Sequence, residues 1–149
     1  MTLISSKTLS GRKRIMVFGT FDLVHPGHEH FFRQARAQAR GRGAFLIVSV
    51  ARDQNVKRIK GRQPIHNEKK RLAVLKSHPL VDRAVLGGLT NHLPHILKQR
   101  PDVIALGYDQ KDYVKGLKTE LKRQGLTVKI VRLKSHRPQI YKSSLLKKT

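Results

Sequence analysis

Residues 14–40 read RIMVFGTFDLVHPGHEHFFRQARAQAR. The stretch opens on a short apolar run, residues 14–18 (RIMVF), which predicts a strand. Gly19 follows at once. Residues 28–40 then place Phe31, Phe32, Ala35 and Ala39 at helical spacing. Gly41 and Gly43 break that helix. A strand that passes through a glycine turn into a helix is the opening half of a crossover unit.

The rest of the chain repeats this alternation. Residues 45–50 (FLIVSV) are apolar at nearly every position, which suits a sheet covered on both faces. Residues 67–77 read as a helix with Leu72, Val74 and Leu75 on its apolar side. Residues 82–86 contain a strand closed by Gly87-Gly88, and residues 93–98 a short helix. Residues 102–106 (DVIAL) form a strand ending in Gly107. Residues 112–124 read as a charged helix stopped by Gly125, and residues 127–133 as the last strand. Residues 145–148 open a terminal helix. Five strands joined by helices favour parallel pairing with right-handed connections. The expected fold is a three-layer α/β, Rossmann-like doubly wound sheet over residues 14–149, preceded by a basic tail at residues 1–13. In such sheets ligands bind beyond the carboxyl ends of the strands, at the topological switch point.

Composition narrows the chemistry. The chain has 149 residues and no cysteine, which removes thiolate nucleophiles, disulfides and cysteine metal sites. Its 32 Lys and Arg against 9 Asp and Glu give a net charge of +23. That charge favours anionic partners: nucleotides, phosphorylated metabolites, nucleic acid or an anionic surface. No apolar run approaches the roughly 20 residues of a membrane span. The first thirteen residues lack the order of a secretory signal, so a cytoplasmic location is expected.

The first strand end carries the densest chemistry. The turn Gly19-Thr20-Phe21-Asp22 leads to His25-Pro26-Gly27-His28 at the start of a helix. Free backbone N–H groups and the helix dipole attract phosphate there. Two imidazoles beside them can donate to phosphate oxygens, and Gly27 removes a side chain where a ligand would approach. Helix capping and metal binding are open alternatives for histidines at this spacing. The run HEH is not the zinc-protease H-E-x-x-H pattern, because Phe32 stands in the second histidine's place.

The full string GTFDLVHPGH resembles the signature of the HxGH nucleotidyltransferases, a cytidylyltransferase-like superfamily. Val50-Ala51-Arg52-Asp53 resembles the family's turn after the second strand. Lys60-Gly61-Arg62 with Pro64, and Leu106-Gly107-Tyr108-Asp109-Gln110, resemble segments of the archaeal-type FAD synthases. Glu68 and Arg71 resemble an E-x-x-R at the start of a helix, and Tyr141-Lys142-Ser143-Ser144 a phosphate-binding turn. Arg137 stands where small cytidylyltransferases carry an arginine. The resemblance spans residues 14–146.

It implies nucleotidyl transfer, in which a substrate phosphate attacks the α-phosphorus of a nucleoside triphosphate and expels pyrophosphate. His25 and His28 then contact the triphosphate and stabilise the pentacoordinate transition state. Gly19, Thr20, Phe21 and Gly27 shape the nucleotide site, with backbone N–H groups beside the α-phosphate. Lys60 and Arg71 are the expected cationic contacts to the transferring or leaving phosphates, with Lys57 a secondary candidate. Ser143 and Ser144 hold the β- and γ-phosphates, although a serine pair opening a helix also serves as an N-cap, and Tyr141 joins the nucleotide-binding set. Asp109 reaches the ribose or base, or else caps a turn. Arg137 joins the nucleotide-binding set, although residues 135–140 depart from the R-T-E-G-I-S-T pattern of cytidylyltransferases. Asp22 is expected to order the GTFD turn and not to bind metal. The divalent cation, Mg²⁺ or Mn²⁺, rides on the phosphates and needs few protein ligands.

The L-G-Y-D-Q and K-G-R-x-P segments favour ATP and FMN as substrates, giving FAD. CTP with glycerol 3-phosphate or a similar polyol phosphate is the alternative. The FAD-synthase branch commonly carries cysteines near the C-terminus, which this chain lacks. A basic nucleic-acid-binding protein on the same fold is a third reading, with salt-dependent, non-specific contacts. Small relatives of this family are often homodimers, so a homodimer is expected.

Overall fold

In the computed structural model the described residues are 11–40, 43–89, 91–107, 110 and 116–134. They form β1 (Lys13–Gly19), α1 (Pro26–Ala37), β2 (Ala44–Val50), α2 (Asp53–Lys60), α3 (Glu68–Lys76), β3 (Arg83–Leu86), α4 (Leu93–Gln99), β4 (Val103–Leu106), α5 (Leu117–Arg123) and β5 (Lys129–Arg132). The strands make one sheet in the order β3-β2-β1-β4-β5, and every pairing is parallel. The chain winds outward from β1 through β2 to β3, then returns to the other side of β1. The switch point therefore lies between β1 and β4.

Alternation along the strands builds two cores. Ile15, Val17, Leu46 and Val48 face one layer, with Phe32 and Ala35 of α1 and Leu75 of α3. Met16, Phe18, Phe45 and Ile47 face the other, with Ile96 of α4 and Leu121 of α5. Burial on both faces explains why β2 is apolar at nearly every position. At the opposite edge of the sheet from the switch point, the Asp82 carboxylate accepts from the Leu46 amide at 2.9 Å and from Arg36 at 2.7 Å.

Three elements differ from the sequence expectations. The first helix starts at Pro26 rather than at residue 28, because His25 acts as its N-cap and proline suits the first helical position. The charged helix expected over residues 112–124 is described only as α5, from Leu117. Gly116 precedes it at φ +75°, a left-handed turn that glycine permits. Helix α2 was not anticipated at all. It buries one residue, Val56, so it carries no apolar stripe to read. The terminal helix expected at residues 145–148 lies outside the described residues.

Candidate active site

The site grows from the β1–α1 turn. Gly19 ends β1, and a Cβ there would lie 2.6 Å from Phe21 Cζ. Only a glycine leaves room for that ring. Phe21 itself takes φ +54°, a left-handed conformation that a bulky residue rarely adopts. Its buried ring meets His28 at 5.3 Å and Phe32 at 5.5 Å between centroids. Asp22 accepts from the Ile65 amide at 2.7 Å and the His66 amide at 2.9 Å. Its carboxylate thus ties the turn to the α2–α3 loop, as expected of a residue that orders the GTFD segment.

The two histidines cap α1 reciprocally. His25 Nδ1 accepts from the Gly27 amide at 3.1 Å, and His28 Nδ1 accepts from the His25 amide at 3.3 Å. The ring centroids lie 3.9 Å apart with the planes tilted by 31°. With both Nδ1 atoms accepting, the neutral rings carry their protons on Nε2. Burial lowers the pKa of His25. Burial, then the neighbouring His25 and the Lys60 charge, push His28 down to about 3, against a hydrogen bond to the Leu23 backbone. Both shifts favour the neutral ring at pH 7. Capping engages Nδ1 of both rings, and the His28 ring also bonds the Leu23 backbone.

Lys60 ends α2, just before Gly61 at φ +78°. It lies one turn beyond the buried Val56, and four residues apart on a helix share a face. Its charge reaches His28, so the lysine and the histidine pair converge.

Arg71 corrects the expectation placed on it. Its side chain was expected to touch phosphate, yet the residue is 1% exposed. The guanidinium donates to the Thr20 carbonyl at 2.8 Å, the His66 carbonyl at 3.0 Å and Asp53 at 2.6 Å. A charge taken so far from water requires such partners, and each of the three guanidinium nitrogens has one. Glu68 completes the lattice by accepting from the Asp53 amide at 2.9 Å and from Arg52 at 3.0 Å. The E-x-x-R pair thus clamps α2, α3 and the Thr20 turn together.

At the switch point Gln110 bridges β1 and β4. Its Nε2 donates to the Phe18 carbonyl at 2.7 Å, and its Oε1 accepts from the Gly107 amide at 2.8 Å. Sequence reasoning quoted Gln110 within a motif without giving it a role. A second histidine pair was missed. His95 Nε2 lies 2.8 Å from Ser49 Oγ, and the His92 ring meets Phe18 edge-on at 5.6 Å. Burial, then His92 and Lys98, lower His95 to about 4, and burial lowers His92. The available signal was H-L-P-H at residues 92–95, spaced as in H-P-G-H, together with one serine in an apolar strand.

Gly19, Thr20, Phe21, His25, Gly27, His28 and Lys60 are thus gathered at one end of β1, and Arg71 lies beneath them. Asp109, Arg137, Tyr141, Ser143 and Ser144 lie outside the described residues. Among the described residues no three His, Cys, Asp or Glu side chains are grouped to hold a metal ion. The Asp22 oxygens, the nearest carboxylate to the turn, already accept two amides. No helix among the described residues is long and apolar enough to cross a membrane.

The chain is 47% identical over 121 residues to the FAD synthase of Korarchaeum cryptofilum, covering 81% of each chain. It is 45% identical over 123 residues to the FAD synthase of Aciduliprofundum boonei, covering 83% of this chain and 79% of that one. Among solved structures it is similar to the lipopolysaccharide core biosynthesis protein from Thermoplasma volcanium. That match has a TM-score of 0.75 and 37% identity, over 85% of this chain and 99% of the other. Residues 16–149 match the cytidylyltransferase-like family, and the chain belongs to it.

Proposed function

We propose that the protein is a nucleotidyltransferase that moves AMP from ATP to FMN, giving FAD and pyrophosphate. The observation that carries the chemistry is the close His25–His28 pair at the N-terminus of α1, whose neutral form is favoured and which feels the Lys60 charge. An FMN phosphate oxygen attacks the α-phosphorus of ATP in line. The new P–O bond forms as the bond to the bridging oxygen of the β-phosphate breaks, and that electron pair leaves with pyrophosphate. Such a reaction needs positioning and charge stabilisation more than covalent help. The imidazoles donate to the α-phosphate oxygens as charge develops there, and Lys60 meets the leaving phosphates. Arg71 holds the Thr20 carbonyl and acts through the turn, without touching substrate. Asp109, Arg137, Tyr141, Ser143 and Ser144 complete the nucleotide site in this reading. A divalent cation, Mg²⁺ or Mn²⁺, would arrive with the triphosphate and neutralise its oxygens. The choice of FMN and ATP is supported by the printed activity of the relatives and by the K-G-R-x-P and L-G-Y-D-Q segments. Such an enzyme draws on the cytoplasmic nucleotide pool.

The test crosses ATP and CTP with FMN and glycerol 3-phosphate, with product identification by mass. FAD from ATP and FMN is expected. A CDP-polyol from CTP instead would overturn the substrate assignment and keep nucleotidyl transfer.

A further inference from the structure

Four large apolar side chains stand exposed among the described residues, and three of them lie at the carboxyl edge of the sheet: Ile59 at 71%, Ile65 at 60% and Leu89 at 45%. Exposed apolar side chains grouped in one place mark contact surfaces more often than scattered ones do. Asn55 of α2 donates to the Gly88 carbonyl at 2.8 Å. Ile59 lies four residues on, one turn along the Asn55 face of α2. The Ile65 amide is held by Asp22, at the base of the histidine turn. Between the two isoleucines run Lys60, Gly61 and Arg62, with both cations exposed. The α2–α3 loop thus presents apolar and cationic groups side by side, beside the donors of the reaction.

We propose that Ile59 and Leu89, with Ile65, form the subsite for the flat, apolar ring system of the phosphorylated acceptor. The neighbouring cations direct the acceptor's phosphate toward the histidine pair. Charge complementarity selects this occupant: a molecule with an apolar ring at one end and a phosphate at the other matches the alternation of the loop. The inference rests on the reading of the acceptor as FMN.

The test uses Ile59→Ser and Leu89→Ser, with Ile59→Leu as the conservative control. Loss of one aliphatic contact raises KM for FMN about tenfold in each serine variant, while KM for ATP is unchanged. The leucine variant restores the wild-type value. Riboflavin, which lacks the phosphate, reads the ring subsite directly, and its affinity falls by a similar factor. An unchanged KM for FMN in both serine variants overturns the subsite. A dimer that dissociates in those variants at constant flavin affinity also overturns it, and makes the strip a contact between copies. Failure of the wild-type protein to form FAD from FMN and ATP defeats the functional reading itself. FAD formation with unaltered flavin constants defeats the subsite alone.

Discussion

The histidine pair caps the helix that follows the β1–α1 turn, Arg71 bonds the Thr20 carbonyl of that turn, and the two do different jobs. His28 is half-buried and its neutral ring is favoured, so in the proposed reaction it acts as a positioned N–H group rather than a charge. His28→Ala is expected to lower kcat about 100-fold or more, within the range for removing one preorganised donor, with the melting temperature little changed. Turnover within about twofold of wild type would refute transition-state stabilisation from this position. Arg71 answers to a different measurement. Its three hydrogen bonds bind Thr20, His66 and Asp53. Removing one partner of a buried charge pair costs about 3–5 kcal/mol, so Arg71→Ala should show that loss in urea unfolding. Arg71→Lys keeps the charge without the fork, and should fold while losing kcat with little change in KM for ATP. A raised KM for ATP at unaltered stability would restore the direct phosphate contact.

The elements were legible wherever burial imposed a pattern. β1, β2 and β4 are covered on both faces, and their apolar runs announced them. α2 was hidden for the opposite reason: one buried valine leaves no periodicity. Its end signals were present, with Asp53 in the first turn, Lys57, Arg58 and Lys60 in the last, and Gly61 beyond. The histidines of α1 were legible because a contiguous motif names them. The inward turn of Arg71 was not, because a motif records identity and not direction. Gln110 was hidden in the same way, since its two hydrogen bonds join strands far apart in sequence. The β1–α1 turn makes a prediction at this scale. Gly19→Ala places a methyl group against the Phe21 ring, and that ring cannot retreat past His28 and Phe32. The expected cost is about 1–3 kcal/mol, with a parallel fall in kcat as the ring presses on His28. Full activity and stability in this variant would show that the turn yields.

Across the whole molecule, four histidines are folded into positions that favour the neutral ring, one pair on each side of the sheet. Those of α1 are His25 and His28, and those at α4 are His92 and His95. The largest shifts bring His28 to about 3 and His95 to about 4, against an ordinary value of 6.5. Between these values and 6.5 the unfolded chain holds protons that the folded chain does not. Stability therefore rises with pH across this window. The stabilisation is fully present above pH 6.5 and is lost as pH falls toward the folded values. Each excess proton on the unfolded chain contributes a slope of about 1.4 kcal/mol per pH unit. Urea unfolding between pH 7 and pH 4 should show this decline, and His95→Gln should flatten part of it, because glutamine can still bond Ser49 and does not titrate. The net charge of +23 adds to the decline, since further protonation increases self-repulsion in the compact state. Salt separates the two contributions. Repulsion among exposed charges is screened within a Debye length of about 10 Å at 0.1 M, whereas the cost of charging a buried ring persists. A pH dependence that vanishes at high salt would assign the acid lability to surface repulsion and remove it from the histidines. One that survives assigns it to the same burial that keeps His28 a neutral donor.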